Sequence, residues 1–199
     1  DSVASRGLGD VYKRQIQNSI IENFDGNRDI KPNLMQEHAL KSLDSLRNKD
    51  ENKGLIIFAT GTGKTILCAL DVRSFSPKQF LFIVHNEEIL NRAKEEFQKV
   101  FPDEDKSKFG LFTGKNKDMD AKYVFATIQT LSNNDNYKRF KENHFDYIVF
   151  DETHRSAAKT YQKVFNYFEP KFLLGMTAPP ERTDELIFLN CLISISHMR

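Results

Sequence analysis

A chain of 199 residues with 39% hydrophobic and 29% charged residues has the balance of an ordinary globule built on one substantial core, which excludes a disordered or fibrous polymer. A formal net charge of +1 excludes a global electrostatic pull toward nucleic acid, so any such binding must come from a local surface. Cys68 and Cys191 lie far apart and the five histidines are scattered, which excludes a zinc-type ligand spacing and suits a reducing cytoplasm.

The chain opens on DSVASRGLGDVYKRQ (1–15), which has no apolar period, no hydrophobic core and no cleavage site, and so is not a secretion signal. Two readings stand: a disordered leader, or a foreign string, because it resembles a translated sequencing adapter found at the ends of proteins inferred from environmental DNA. Setting it aside removes three basic and two acidic residues and leaves no net charge. Residues 16–31 read as a linker, and a domain is expected over 32–184.

Within that domain Met35, Ala39, Leu43 and Leu46 recur at helical spacing behind the start signal Pro32-Asn33. GLIIFA (54–59), apolar and set off by glycines, predicts a buried strand. A helix is predicted from Lys64 to about Phe75, followed by the strand QFLFIV (79–84). NEEILNRAKEEFQKV (86–100) predicts an amphipathic helix with Asn86 as its cap, acids in the first turn, and Ile89, Ala93, Phe97 and Val100 facing inward. The polar stretch 103–122 reads mostly as loop, with a short strand at Gly110–Phe112. YVFAT (123–127) and DYIVF (146–150) are two further strands, Tyr161 to Phe168 a short helix, and KFLLGMT (171–177) another strand. Strands apolar on both faces and separated by helices predict an α/β domain, a mostly parallel sheet with helices on both faces. Function in such sheets gathers at the carboxyl ends of the strands.

Two of those ends carry chemistry. ATGTGKT (59–65) joins a strand to a helix, and Gly61 and Gly63 let the backbone of Thr60–Gly63, with Thr62, close around phosphates. Lys64 is then placed to bridge the β- and γ-phosphates of ATP, and the Thr65 hydroxyl to hold Mg²⁺. The generic phosphate loop has a glycine where Phe58 stands; this stretch matches the helicase variant instead. DETHR (151–155) follows its strand without a gap, and acids at the end of a buried strand are costly unless they meet a cation or polar ligand. Asp151 is expected to hold Mg²⁺, and Glu152 to orient the attacking water. A solvated strand end is the plainer alternative for this segment.

In order and spacing, ATGTGKT, DETHR and GMTAPPER resemble motifs I, II and III of superfamily 2 DEAD/DEAH-box helicases and translocases. More narrowly, HNEEIL, FATIQTL, DETHRSAAKTYQKV and FLLGMTAPPERTD resemble restriction-type (ResIII-like) helicase subunits and helicases with an appended nuclease domain. The resemblance implies the first RecA-like domain, a P-loop NTPase that uses ATP and Mg²⁺ and acts on nucleic acid, DNA ahead of RNA. Gln36 stands where the family reads adenine through a glutamine amide; a surface glutamine is the alternative, and Met35 replaces the usual aromatic neighbour. His85, Asn86, Gly114, Thr127 and Gln129 stand where the family touches the nucleic-acid backbone, although arginine is usual at Asn86; ordinary caps and loops are the alternative. His154 and Thr177 would couple the nucleotide site to the nucleic-acid groove. Pro179 replaces a threonine there, removing a hydroxyl and an N–H, which is expected to weaken coupling.

Two expectations concern the end of the chain. The apolar run inside TDELIFLNCLISISHMR is broken by Asn190, Ser194 and Ser196 and is shorter than the ~20 residues of a membrane span. It is also unlike the family's continuation, so 185–199 reads either as a genuine terminal strand or as a tail shifted out of frame by one lost base near Leu186. Nothing after Asp184 is long enough for the second RecA-like domain whose arginines complete the ATP site. The chain is therefore expected to be a fragment that binds ATP, hydrolyses it poorly alone, and works with the second domain and with nuclease or restriction subunits. The alternative from another class is a P-loop switch or binding module that follows no strand.

Overall fold

The computed structural model describes residues 30–58, 61–151 and 159–178. The leader and the tail lie outside those residues, as do Thr60, Glu152, His154 and Pro179. The first helix, α1 (Leu34–Arg47), starts on a capping box: the Asn33 side chain accepts from the Gln36 N–H, and the Gln36 side chain accepts from the Asn33 N–H. Strand β1 (Lys53–Ile57) follows, then α2 (Lys64–Phe75), β2 (Phe80–Val84), α3 (Glu87–Val100), β3 (Phe109–Phe112) and β4 (Tyr123–Thr127). A five-residue helix α4 (Ile128–Ser132) leads through a 3-10 stretch at Asn133–Arg139 to β5 (Tyr147–Asp151), α5 (Lys159–Tyr167) and β6 (Phe172–Thr177).

The six strands form one sheet in the order β1-β6-β5-β2-β4-β3, with every ladder parallel. Because side chains alternate along a strand, the sheet feeds two cores. Phe80, Phe82 and Val84 of β2 join Leu43 of α1, the buried face of α2, and Leu90 and Phe97 of α3. Leu81 and Ile83 of the same strand join Ile128 and Leu131 of α4 and Tyr161 and Val164 of α5 on the opposite face. Helices thus cover both faces, as the doubly apolar strands require. None of the described helices is long and apolar enough to cross a membrane.

Three local expectations change. In α3 the inward residues are Leu90, Ala93, Phe97 and Val100, while Ile89 is only partly buried; the 90-93-97-100 spacing holds the centre of the apolar stripe and Ile89 lies on its flank. In α1, Met35 is exposed and Gln36 is buried, because the capping box fixes the first turn with the glutamine inward. After Thr127, α4 and the 3-10 stretch fill a segment with no helical period, and Asn134 and Asp135 adopt left-handed φ angles of 49° and 53° there.

At the amino end of the sheet Asp146 ties three strands together. Its carboxylate accepts from the Lys78 N–H at 2.8 Å and the Gln79 N–H at 3.4 Å, and pairs with the Lys171 ammonium at 2.8 Å. Burial alone would raise this carboxyl; the hydrogen bonds from Lys171, Lys78 and Gln79 outweigh it and hold it below the usual carboxylate range. A depressed folded-state pKa gives stability that is present above the unfolded value of about 4 and is lost as the pH falls through the folded value. Asp146→Asn is therefore expected to destabilise the domain by about 1–2 kcal/mol at pH 7 and to match the parent in strong acid. Urea melts at both pH values check this; an equal loss at each would show that the charge is not what stabilises.

Candidate functional site

The carboxyl edge of the sheet brings together residues that are far apart in the chain. β6 lies between β1 and β5, with Ile57 opposite Thr177 and Asp151 opposite Met176. The Phe58 N–H continues the ladder by donating to the Thr177 carbonyl at 3.0 Å. The entry to ATGTGKT, Thr177 and Asp151 thus sit on three adjacent strand ends, each about 4.8 Å from the next. Thr177 and Asp151 are both buried, and the Thr177 hydroxyl donates to the Ala178 carbonyl at 3.2 Å.

The loop owes its shape to two glycines. Gly61 and Gly63 hold φ angles of 77° and 78°, a region that side chains rarely adopt, and a Cβ at Gly63 would also come within 3.0 Å of Gln36 Nε2. Gly63 is the N-cap of α2, contributes no side-chain acceptor, and is followed by a first turn without acids. The leading N–H groups and the positive end of the helix are thereby left to an anion, and Lys64 and Thr65 are the first two helical residues beside it. This arrangement fits a nucleotide phosphate.

Oxygen donors suited to a hard cation stand alongside. The Thr65 side chain stands beside the carboxylate of Glu96 on α3, and the charge of Asp151 also reaches Glu96. Burial pushes the Glu96 carboxyl up, the nearby Thr65 hydroxyl and Lys99 oppose the rise, and Asp151 adds to it. Thr65 and Asp151 would hold Mg²⁺. Sequence reasoning missed Glu96, which is one acid among several in KEEF (94–97); its only signal is its place beside the inward Phe97 and one turn past Ala93.

Gln36 is 5% exposed, and its amide is half engaged. Oε1 accepts from the Asn33 N–H at 3.0 Å and Nε2 donates to the Gly63 carbonyl at 3.2 Å. A primary amide has two donor hydrogens and two lone pairs, so one of each remains. That remainder matches the N7 acceptor and the N6 donor of adenine, with the amide already fixed against the phosphate loop.

The nucleic-acid candidates occupy the other half of the same edge. Val84 pairs with Thr127 and Phe112 with Ala126, so His85 and Asn86 after β2, Thr127 and Gln129 at β4, and Gly114 after β3 stand on three adjacent strand ends. Asn86 caps α3, its side chain accepting from the Glu88 N–H at 2.7 Å. Thr127 caps α4, accepting from the Thr130 N–H at 3.3 Å while its hydroxyl donates to Thr130 Oγ1 at 2.8 Å. Gln129 and Gly114 are exposed, and His85 is half-buried. Thr113 accepts from the Lys115 and Asn116 N–H groups at 3.3 Å each, folding the Gly114 loop into a tight turn.

Comparison with known proteins extends this reading. Residues 29–182 match the family model described as "Type III restriction enzyme, res subunit". The endonuclease subunit of the type I restriction enzyme EcoAI from Escherichia coli is 26% identical over 167 residues, which is 78% of this chain and 20% of that protein. The DNA 3'-5' translocase XPB2 of Sulfurisphaera tokodaii is 29% identical over 136 residues, 67% of this chain and 28% of that protein. In three dimensions the helicase domain of Pyrococcus furiosus Hef superposes with a TM-score of 0.67 at 20% identity, over 82% of this chain and 36% of that one. The chain thus spans only a minor part of the length of the proteins it matches. The family match runs through every described helix and strand, and with the all-parallel sheet it makes this chain a member of the type III restriction enzyme res-subunit (ResIII) family, folded as the first RecA-like domain of superfamily 2 helicases.

Proposed function

We propose that this chain is the nucleotide-binding motor domain of an ATP-dependent translocase or helicase, acting on DNA ahead of RNA in the cytoplasm. What supports this most is the division of one carboxyl edge into two halves, the phosphate loop with Thr177 and Asp151 on β1-β6-β5, and His85, Asn86, Thr127, Gln129 and Gly114 on β2-β4-β3. One rigid sheet then holds a nucleotide beside a nucleic-acid strand. Thr60–Gly63 and Lys64 take the phosphates and Gln36 the adenine, while Thr65 and Asp151 hold Mg²⁺, which when bound neutralises phosphate charge. Glu152 orients the attacking water, and Thr177 and His154 carry the state of the nucleotide across the edge. Pro179 in place of threonine weakens that link.

A second RecA-like domain supplies the remaining arginines, and restriction or nuclease subunits are the partners. The relatives named for a restriction endonuclease and a DNA translocase support the choice of DNA. ATP hydrolysis by the full-length protein, measured without nucleic acid and with single- or double-stranded DNA, is the test. Stimulation of at least about tenfold is expected, since ordering the two motor domains is what assembles the site. Hydrolysis indifferent to both DNA forms and to RNA would favour a P-loop switch that follows no strand.

A further inference from the structure

The far end of α1 carries a polar cluster to which no role has been given so far. Arg47 forms a two-bond ion pair with Asp71 of α2, Nη1 to Oδ2 at 3.0 Å and Nη2 to Oδ1 at 2.8 Å, and Nη2 also pairs with Asp44. The Tyr147 hydroxyl donates to Asp71 Oδ2 at 2.5 Å. The guanidinium lies 5.0 Å from the ring centre of Phe172 and 5.6 Å from that of Phe75. Asp71 and Tyr147 are both 0% exposed, so a carboxylate sits inside the core of a domain whose other interior groups there are aromatic or aliphatic. Removing either partner from such a pair leaves a charge buried alone, which is far costlier than an apolar pair would be.

The position of the cluster explains what it is for. α1 packs on β1 and α2 through a narrow apolar contact: Leu43 is its one fully buried apolar residue, with Ala39, Leu40 and Leu46 only partly buried and Leu34 70% exposed. One apolar anchor lets a helix pivot, and polar bonds at its ends fix the angle. At its amino end Gln36 Nε2 reaches the Gly63 carbonyl, the N-cap of α2; at its carboxyl end Arg47 reaches Asp71, two turns further along α2. Eleven residues of helix set these two attachments about 16 Å apart, a lever long enough to turn a small rotation into an ångström at Gln36. A planar, two-bonded guanidinium seated over two rings fixes direction as well as distance, which an ammonium would not.

We propose that Arg47 and Asp71 are positioning residues for adenine selection: the clamp sets the angle of α1 and so holds the Gln36 amide in register with the phosphate loop. The inference rests on the reading of Gln36 as the adenine contact. Its test is the preference of the chain for ATP over ITP, which keeps N7 but presents an acceptor in place of the N6 amine, with inorganic tripolyphosphate as a probe of the phosphate loop alone. Because Asp71→Leu leaves Tyr147 without its acceptor and Arg47 with Asp44 alone, the informative variant is Arg47→Met with Asp71→Asn, which removes both charges, roughly keeps the volume and leaves an acceptor for Tyr147.

In this double variant, thermal melting is expected to stay cooperative, tripolyphosphate affinity to hold within about twofold, and the ATP:ITP preference to fall about five- to tenfold. Gln36→Ala is expected to lose the same preference, and adding the clamp variant to it should cause no further loss. A folded double variant that keeps the parent preference, while Gln36→Ala loses it, overturns the clamp and leaves the adenine reading standing. Full preference in Gln36→Ala overturns both. A parallel fall in ATP, ITP and tripolyphosphate affinity also overturns the clamp, since that is the signature of general loosening.

Discussion

Replacing Lys64 with alanine is expected to lower ATP affinity by at least about 100-fold while leaving the fold intact. The lysine is the first residue of α2, directly after the left-handed Gly63, on a turn that carries no acid. Its ammonium is the only side-chain charge in the sequence of residues 60–65. Charge-assisted hydrogen bonds of this kind contribute about 1.5–3 kcal/mol each, and two of them amount to more than two decades in the dissociation constant. Backbone N–H groups would still meet the phosphates, so residual millimolar binding is expected rather than none. Alanine is at least as good a helix former as lysine, so α2 should melt as before. Titration with a fluorescent ATP analogue, beside a thermal melt, checks both parts. Affinity within threefold of the parent would remove Lys64 from the phosphate site.

The second large effect separates binding from chemistry. Glu152→Gln should leave ATP affinity unchanged and lower turnover in the full-length protein by about 10²–10⁴, the usual contribution of a positioned general base. Glutamine matches glutamate in size and can still hydrogen-bond, but it cannot draw charge from the attacking water. Asp151, the preceding residue, closes β5 beside β6. Single-turnover hydrolysis measured with DNA present is the readout. Normal turnover in the glutamine variant would assign water activation to another group, and Glu96, beside Thr65, would be the first to examine.

The sheet was legible because its code is short. FLFIV, YVFA and YIVF are apolar at every position, which only a strand covered on both sides tolerates; YVFAT keeps its expected ends, while the strands expected at 79–84 and 146–150 start one residue later. The phosphate loop was legible because two glycines and a lysine at fixed spacing answer to one geometry. Other features depend on what the chain meets in space. Asp71 lies inside the apolar run CALDV, and nothing there reveals an arginine 24 residues upstream on another helix. Gln36 reads from sequence as an adenine contact or a surface amide, whereas its burial and its bond to Gly63 depend on how α1 seats on α2. Asn134 and Asp135 turn left-handed in a stretch whose composition suggests only loop. Periodicity records one face of one element; pairings between elements are set by packing.

The place of β6 governs when the site comes into being. It is the last of the described strands, yet it sits between the first of them and β5, and it contacts both along their full lengths. The phosphate loop and Asp151 are both made before β6, but their strands are not neighbours and stand two strand spacings apart, about 10 Å. Only insertion of Phe172–Thr177 closes that gap. A nascent chain stalled just before Phe172 therefore carries Lys64, Thr65 and Asp151 without the strand that sets their spacing. The spacing between the phosphate loop and Asp151 is thus acquired in one late, non-local step.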